Sequence, residues 1–289
     1  MPELPDLEVV RRFLDPRLAG VAIASVQVPR PLIVRNLLGG DLAAHLIGRR
    51  FCGAERRGKF LLLPLPSIPG AQRRGLQGGL TLVINPMLAG RLRYGEPLPR
   101  LRARDALVLG LADGHELRYH DAVGMGKVYL TDDVQRVPGF VGQGPEATDP
   151  GPTLDAFRER LRGRHGEIKG ILCDPSFVAG IGNAYSDEIC WRARVYPFRR
   201  RASLTEEEVA QIHTAMRDVL AEAIAVLEQR VGDDIDVEVR DFLLVHGQAG
   251  QPCPRCGSPI SQVKRQRRAT CFCRTCQPGL MVAGRDRRL

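Results

Sequence analysis

Near its C-terminus the chain reads Cys253-Pro254-Arg255-Cys256 and, after sixteen further residues, Cys273-Arg274-Thr275-Cys276. Two CxxC pairs at this spacing are typical of a zinc ribbon, in which four thiolates complete a tetrahedron around the ion. Because such a ligand set leaves no position for water, the ion is expected to be structural. The sequence therefore predicts one structural Zn²⁺ ion held by these four cysteines.

The ribbon is also strongly basic. From Cys253 to Cys276 there is no acidic residue, and the basic residues are Arg255, Lys264, Arg265, Arg267, Arg268 and Arg274. The whole chain of 289 residues has 42 Lys and Arg against 33 Asp and Glu, which gives a formal charge of +9. This excess favours an anionic partner, with nucleic acid first. For the ribbon alone, the alternative is a solvated basic surface on a protein-binding module.

The N-terminus has no basic segment followed by an apolar run, and no apolar stretch reaches the roughly 18 residues of a membrane span. We therefore expect a protein of the reducing cytoplasm with no membrane partner. Thiols outside the ribbon are then expected to serve packing rather than disulfides. Among the cysteines that are not predicted ligands, this expectation is made for Cys52, Cys190 and Cys271.

Upstream of the ribbon, apolar residues recur with a helical period. Thr153 precedes one amphipathic segment, and Ser203 or Thr205 can cap a long helix through Glu206 or Glu208. The predicted apolar face of this long helix contains Val209, Ile212, Met216, Val219, Leu220, Ile224 and Leu227. We expect a strand from Asp241 to Val245 after it.

The segment from Ile168 to Glu188 contains two short helical pieces around the turn Gly180-Ile181-Gly182-Asn183. The glycines would let backbone N–H groups approach an anion closely, and Asn183 could cap the following helix. The alternative is an ordinary turn between helices, in which the glycines serve tight packing.

From Val21 to Leu130 the chain consists of short β-type runs, punctuated by Gly and Pro about every ten residues. The clearest runs are Phe60–Leu63, Leu80–Asn85, Ala106–Leu109 and Lys127–Leu130. They predict an antiparallel sandwich or barrel, with a helix from Asp6 to Leu18 ahead of it and a surface loop from Ser67 to Gly79. The expected divisions are a β domain (1–133), a linker (134–152), a helical domain (153–245) and the ribbon (246–289).

The first residues, Met1-Pro2-Glu3-Leu4-Pro5-Asp6-Leu7-Glu8, would expose a secondary amine once Met1 is removed. An α-amino group titrates near ~8, so a useful fraction is unprotonated at neutral pH and can attack a sugar carbon. The Glu3 carboxyl could shuttle protons during that reaction. The alternative is that Pro2 only governs N-terminal processing and Glu3 is a solvated charge.

Taken together, these motifs resemble the bacterial formamidopyrimidine-DNA glycosylase and endonuclease VIII family over nearly the whole chain. The resemblance is carried by Pro2-Glu3-Leu4-Pro5, Gly58-Lys59, Gly180-Ile181-Gly182-Asn183 and the terminal ribbon, in that order. It implies an α+β multidomain fold, with an N-terminal antiparallel β-sandwich and flanking helix, a helix-two-turns-helix domain and a zinc ribbon. It also implies a monomer that acts on double-stranded damaged DNA in the bacterial cytoplasm and is associated with the nucleoid when bound.

The resemblance further implies base excision with strand cleavage by β,δ-elimination. Pro2 would attack C1′ and form an imine, Glu3 would donate a proton, and Lys59 would hold the phosphate beside the lesion. Residues matching the family's phosphate contacts are Lys169, Asn183 and Arg268. Glu8 matches a carboxylate near the nucleophile, whereas Asp6 is one carbon shorter than the usual glutamate, so Glu8 is the expected supporting acid.

Two departures from the family's pattern bear on the substrate. The residues Asp121-Ala122-Val123-Gly124-Met125-Gly126 stand where the formamidopyrimidine type shows Asp-Pro-Arg-Arg-Phe-Gly, so the arginine that reads the opposite base is missing. Leu88 and Met125 could wedge the base stack, or they could equally be core residues. The segment after the long helix is also shorter than in members that cap 8-oxoguanine. We therefore expect a preference for oxidised pyrimidines, ring-opened purines or abasic sites.

Two other readings stay open at this point. The chain could be a catalytically silent protein that binds damaged DNA through its ribbon and helical turn, although Pro2, Glu3 and Lys59 are all intact. It could also be an RNA-binding zinc-ribbon protein, but aromatic residues make up only 5% of the chain, which leaves few stacking platforms.

Overall fold

A computed structural model describes residues 1–67, 79–148, 151–265 and 268–279. The predicted loop Ser67–Gly79 therefore lies almost entirely outside the described residues, as do two residues of the predicted linker and Arg267. The chain divides into two compact units. The first contains residues 1–143 and 224–239, and the second contains residues 144–223 and the chain from residue 240 onward.

The first unit is a β-sandwich with a helix, α1 (Leu4–Leu18), at its start. Its strands are β1 (Ile23–Gln27), β2 (Val34–Asn36), β3 (Glu55–Arg57), β4 (Phe60–Leu65), β5 (Leu80–Asn85), β6 (Gly90–Gly95), β7 (Asp105–Leu111), β8 (Glu116–Asp121) and β9 (Lys127–Thr131). One sheet has the order β1-β7-β8-β6 and the other β2-β9-β5-β4-β3. Every pairing is antiparallel except that of β2 with β9. A short helix, α2 (Leu42–Leu46), and a 3₁₀ turn (Val134–Arg136) complete the unit. The predicted sandwich is confirmed.

Strand β4 shows why a continuous apolar run was compatible with a sandwich. Successive side chains of a strand point to opposite faces. Leu61, Leu63 and Leu65 join the main core together with residues of both sheets. Phe60 and Leu62 pack instead in a second apolar cluster with Val83 and Val137. Because both faces of β4 are buried, the strand shows no polar alternation.

The second unit is helical and ends in a β-hairpin. Its elements are α3 (Leu154–Arg162), α4 (Ile168–Leu172), α5 (Asn183–Arg192), a 3₁₀ turn (Arg201–Ser203), α6 (Glu206–Val231), β10 (Ser261–Arg265) and β11 (Arg268–Phe272). The last residues of α6, from Ile224, belong to the first unit. All seven residues of the predicted apolar face of α6 are buried. Thr205, rather than Ser203, caps it, because Thr205 and Glu208 exchange hydrogen bonds of 3.1 and 2.9 Å with each other's backbone N–H.

The strand expected from Asp241 to Val245 is wrong, because this segment consists of turns. Its backbone N–H groups are taken up by a side chain instead of a neighbouring strand. The buried Glu188 carboxylate accepts hydrogen bonds from the N–H groups of Leu244, Val245 and His246, at 2.8 to 3.1 Å. An apolar pattern alone does not reveal this arrangement, since the carboxylate lies more than fifty residues earlier. Among the described helices, none has both the length and the apolar composition needed to cross a bilayer.

Candidate functional site

After the exposed Met1, Pro2 and Glu3 are buried at the N-terminus of α1. Helix α1 starts at Leu4, two residues earlier than predicted, with Glu3 as its N-cap. The Asp6 carboxylate accepts a hydrogen bond of 2.8 Å from the Glu3 N–H. Pro5 fits here because the first turn of a helix needs no N–H donor at that position. The cap thus fixes Glu3 directly after the predicted nucleophile.

The N-terminal amine faces a carboxylate that lies far away in the sequence. The Met1 nitrogen lies 3.2 Å from Oε1 of Glu238, and Oε2 of Glu238 accepts a hydrogen bond of 2.6 Å from Arg91. Pro2, Asp6, Arg91 and Glu238 line one cavity of about 40 Å³. We call Pro2, Glu3, Asp6, Arg91 and Glu238 the N-terminal site. Sequence reasoning missed Arg91 and Glu238, since no motif or periodicity marks either residue.

Tyr119 lines the same cavity from β8. Its hydroxyl is buried and has no hydrogen-bond partner among the described residues. Burial, and then the charge of Asp121, raise the pKa of Tyr119 well above its ordinary value. A Cβ atom at Gly90 or at Gly126 would clash with this hydroxyl. The Tyr119 hydroxyl therefore requires glycine at position 90, where the turn between β5 and β6 ends, and at position 126, where the turn between β8 and β9 ends.

Leu88 and Met125 lie on the turn between β5 and β6 and on the turn between β8 and β9. Their exposed fractions are 45% and 46%, so the alternative that they are core residues is wrong. Met87 and Val123, on the same turns, are also exposed apolar side chains. Met87 has φ of +49°, an uncommon conformation for a non-glycine residue. The two turns together present four apolar side chains to solvent.

Glu8 does not lie free beside the nucleophile, contrary to the expectation that it is the supporting acid. Its carboxylate accepts hydrogen bonds from Arg11, Arg12 and Arg56. Burial raises the pKa of Glu8, but the hydrogen bonds from these arginines and the charge of Arg56 outweigh it, and the pKa falls to about 2. A carboxyl so firmly ionised does not exchange protons near neutral pH, so the structure does not favour Glu8 as the supporting acid.

Lys59 lies on the turn between β3 and β4 and is half-buried. Gly58, which precedes it, has φ of +55°, in the left-handed region that glycine tolerates. Arg56 donates a hydrogen bond of 3.1 Å to the Gly58 carbonyl while it also pairs with Glu8. Glu8 therefore supports, through Arg56, the turn that carries Lys59.

In the second unit the three predicted phosphate contacts come together. Lys169, Asn183 and Arg268 line one open cavity of about 360 Å³, together with Cys173 and Thr270. We call this group the helical pocket. Lys169 is buried, and its ammonium bonds to Asp187 at 2.6 Å and to the Thr270 hydroxyl at 2.9 Å. Arg268 is exposed.

Asn183 does not cap α5 as expected, because Gly182 takes the N-cap position and Asn183 is the first helical residue. Its side-chain amide instead donates a hydrogen bond of 2.8 Å to the Ala269 carbonyl. Asn183 thereby links α5 to β11 of the terminal hairpin. The hydrogen bonds of Lys169 to Thr270 and of Asn183 to the Ala269 carbonyl thus join the two sides of the helical pocket.

The four ribbon cysteines form a compact group, the cysteine cluster. All four sulfur atoms lie within 4.8 Å of one another. The Cys253–Cys276 and Cys256–Cys273 sulfur distances are 3.9 and 3.4 Å. A tetrahedron with zinc–sulfur bonds of ~2.3 Å would separate its sulfurs by roughly 3.8 Å, so the donor set fits this ion. Hydrogen bonds with Ser258 lower the pKa of the Cys256 thiol to about 6, which favours the thiolate.

Of the cysteines assigned to packing, Cys190 and Cys271 are buried as expected, whereas Cys52 is exposed. The expectation for Cys52 is therefore wrong. Its backbone N–H donates a hydrogen bond of 2.8 Å to the Pro64 carbonyl of β4, which places the residue at the sandwich without burying its thiol.

Comparison with known proteins gives consistent matches along the chain. Residues 1–128 match the model of the formamidopyrimidine-DNA glycosylase N-terminal domain, and residues 143–233 match that of the formamidopyrimidine-DNA glycosylase H2TH domain. The chain is 38% identical to the formamidopyrimidine-DNA glycosylase of Heliobacterium modesticaldum, covering 96% of this chain and 100% of that protein. Identity to the enzyme of that name from Thermus thermophilus is 35%, covering 96% and 98%.

Solved structures show the same similarity. Formamidopyrimidine-DNA glycosylase from Lactococcus lactis, bound to DNA containing N7-benzyl-Fapy-dG, matches with a TM-score of 0.83 and 30% identity, covering 96% of this chain and 100% of that one. The same protein bound to DNA with an abasic site matches with a TM-score of 0.82, at equal identity and coverage.

Proposed function

The chain belongs to the formamidopyrimidine-DNA glycosylase family of bifunctional DNA glycosylases and AP lyases, and we propose that it excises oxidised bases through an imine on Pro2. The observation that carries this proposal is the N-terminal site. Pro2 is the buried second residue and lines a cavity, and Glu3 follows it as a helix cap. We further propose that strand cleavage follows by β,δ-elimination.

In the proposed reaction the damaged nucleotide leaves the stack, because its sugar carbon cannot be reached inside the duplex. The Pro2 nitrogen attacks C1′ and the base departs. Glu3 donates a proton to the ring oxygen, so the sugar opens and an iminium forms. The 3′ and 5′ phosphates are then eliminated in turn. Lys59 stabilises the charge that develops on the phosphate beside the lesion.

The DNA-binding residues of the proposal lie in both units. Lys169, Asn183 and Arg268 of the helical pocket would contact phosphates, and backbone N–H groups at the start of α5 would support them. Leu88 and Met125 would fill the space left by the flipped nucleotide, which fits their exposure on two turns. The proposed partner is double-stranded damaged DNA, bound by a monomer.

Cys253, Cys256, Cys273 and Cys276 would hold one structural Zn²⁺ ion, which would fix the terminal hairpin and supply no step of the reaction. We propose that the chain is functionally divided into a β domain (1–133), a linker (134–152), a helical domain (153–245) and the ribbon (246–289). Each candidate DNA contact then lies outside the proposed linker.

We propose that oxidised pyrimidines and abasic sites are preferred over 8-oxoguanine. Support comes from the turn before β9, where Val123, Gly124 and Met125 lack the arginine that reads the opposite base in the formamidopyrimidine type. The segment after α6 adds no support, because the strand expected at Asp241–Val245 is absent and β10 begins only at Ser261. Excision of 5-hydroxyuracil and 8-oxoguanine is to be compared in otherwise identical duplexes. Faster excision of 8-oxoguanine would contradict this preference.

The central experiment is reductive trapping. Protein shown by intact mass to lack Met1 is incubated with a duplex carrying one abasic site, borohydride is added, and the adduct is mapped by mass spectrometry. We expect an adduct on Pro2, and a Pro2→Gly variant that binds the duplex but loses cleavage by at least about 10³-fold. Binding without any adduct in the wild type would favour the silent DNA-binding protein.

A further inference from the structure

Glu238 forms an ion pair of 3.2 Å with the terminal amine, and it lies 237 positions along the chain from Met1. Its side chain is 37% exposed, so it lies at the mouth of the cavity and not in the core. Arg91 holds the second carboxylate oxygen at 2.6 Å and is itself fixed by a hydrogen bond of 2.9 Å to the Gly90 carbonyl. Arg91 thus holds one carboxylate oxygen while the other faces the amine.

Removal of Met1 would leave the Pro2 nitrogen close to this carboxylate. Three covalent bonds of about 1.3 to 1.5 Å separate the Met1 and Pro2 nitrogens, so the two atoms lie at most about 4 Å apart. Pro2 and Glu238 also line the same cavity. The Glu238 side chain is partly exposed, which leaves it room to rotate toward the new terminus.

The proposed reaction needs an acceptor at this position. When a secondary amine attacks C1′, the C–N bond forms and the nitrogen becomes a tertiary ammonium that still carries one proton. That proton must leave before the nitrogen lone pair can form the iminium and break the bond to the ring oxygen. Glu3 supplies the proton that the ring oxygen gains, so a second group must take the one that the nitrogen loses.

We propose that Glu238 accepts the proton from the Pro2 nitrogen during imine formation, and that Arg91 is the positioning residue that orients it. This inference rests on the proposed function, since it assumes Pro2 as nucleophile. The neighbouring carboxylate Asp6 is less suited, because it accepts the Glu3 N–H bond that caps α1. Glu238 is also open enough to solvent to release its proton between turnovers.

Other titratable groups near Glu238 define the environment of this transfer. From the cavity these are Asp6 and Tyr119, together with the terminal amine and Glu3. Behind Arg91, His120 lies opposite it in the sheet. Burial lowers the pKa of His120, although Asp236 and Asp105 act against it, so His120 is neutral near pH 7 and adds no charge.

The test compares Glu238→Gln with Asp234→Asn, which makes the same change of charge at an exposed position of the same segment. The rate of Pro2 adduct formation with an abasic duplex is measured in a single turnover from pH 5.5 to 9. We expect Glu238→Gln to slow trapping by about 10²-fold near neutral pH, the usual range for general-base catalysis. The loss should shrink as pH rises, because hydroxide replaces the missing acceptor. Glu238→Asp should recover part of the rate, and Asp234→Asn should match the wild type.

Binding to a duplex with a tetrahydrofuran abasic analogue, which cannot form an imine, separates this role from a structural one. We expect equal binding by the wild type and Glu238→Gln. Equal trapping rates at every pH, or a loss of trapping matched by an equal loss of binding, would overturn the role of Glu238 alone. A wild type that forms no adduct on Pro2 would instead overturn the proposed function itself.

Discussion

The N-terminal site and the helical pocket handle charge in opposite ways. In the helical pocket the Lys169 ammonium is buried and already neutralised by Asp187, whose other oxygen contacts His246 at 2.7 Å. In the N-terminal site the terminal amine and Glu238 are partly exposed and lie 3.2 Å apart. Charges fixed in a buried network stabilise the fold in addition to binding a ligand. Charges at an open site can instead gain or lose a proton during a reaction. Substitutions should therefore separate stability from chemistry differently in the two regions.

The largest effect on this comparison is expected from the cysteine cluster beside the helical pocket. Cys273→Ser removes a buried ligand from a set whose zinc affinity is on the order of 10 kcal/mol in comparable small sites. We expect loss of the ion and of duplex binding, measured by elemental analysis and by a binding titration. The exposed Cys52 provides the control, and Cys52→Ser should keep both the zinc ion and duplex binding. Retention of one zinc per chain by Cys273→Ser would contradict the four-thiolate assignment.

Lys169 and Arg268 sharpen the comparison within the helical pocket itself. Lys169→Gln leaves the buried Asp187 carboxylate without its cation, which should cost about 3 to 5 kcal/mol of unfolding free energy. Arg268→Gln removes an exposed charge, so stability should change by less than about 0.5 kcal/mol. Urea unfolding measures both. For Arg268→Gln the salt dependence of duplex binding should also fall, by about one ion in the slope. Equal stability losses would show that burial does not separate the two cations.

Glu8 tests the comparison in the first unit through pH. Its pKa falls from an ordinary value of 4.5 to about 2 in the folded protein. A lowered carboxyl pKa stabilises the fold above pH 4.5, and this stabilisation is lost as pH falls from 4.5 toward 2. The effect is about 3 kcal/mol at most. The difference in unfolding free energy between the wild type and Glu8→Gln should accordingly be largest above pH 5 and shrink toward pH 2.

An exposed glutamate gives the matched control for that measurement. Glu55→Gln, on β3, should show little difference from the wild type at any pH. If the Glu8→Gln difference were constant from pH 6 to pH 2, Glu8 would not act as the ionised anchor of Arg56.

The smallest effect on stability is expected at the two exposed turns. Leu88→Ala and Met125→Ala should change the unfolding free energy by less than about 0.5 kcal/mol, because both side chains are half exposed. Excision of a paired oxidised base should slow by roughly tenfold, since about 1.5 kcal/mol of apolar contact with the opened stack is lost. Cleavage at a preformed abasic site serves as the internal control and should slow less. Equal slowing of both reactions would argue against a role in base extrusion.

Local patterns predicted much of this molecule. The limits of β5, the cap at Thr205 and the meeting of Lys169, Asn183 and Arg268 in one pocket all follow from short-range chemistry or from motif order. The errors arose where a distant residue decided the outcome. Glu188 accepts hydrogen bonds from N–H groups that a strand at Asp241–Val245 would have used. Three arginines form ion pairs with the Glu8 carboxylate. The Glu238 contact with the N-terminus belongs to the same class.

The hydroxyl of Tyr119 packs against both exposed turns and thereby couples their conformations. Gly90 closes the turn that carries Leu88, Gly126 follows Met125, and neither position has room for a methyl group beside the phenol. An alanine at Gly90 or at Gly126 would displace the Tyr119 ring toward the other turn. A substitution in one turn would therefore also disturb the apolar side chains of the other. Variation that alters how this protein opens a base stack must therefore change the two turns in concert, or replace the tyrosine first.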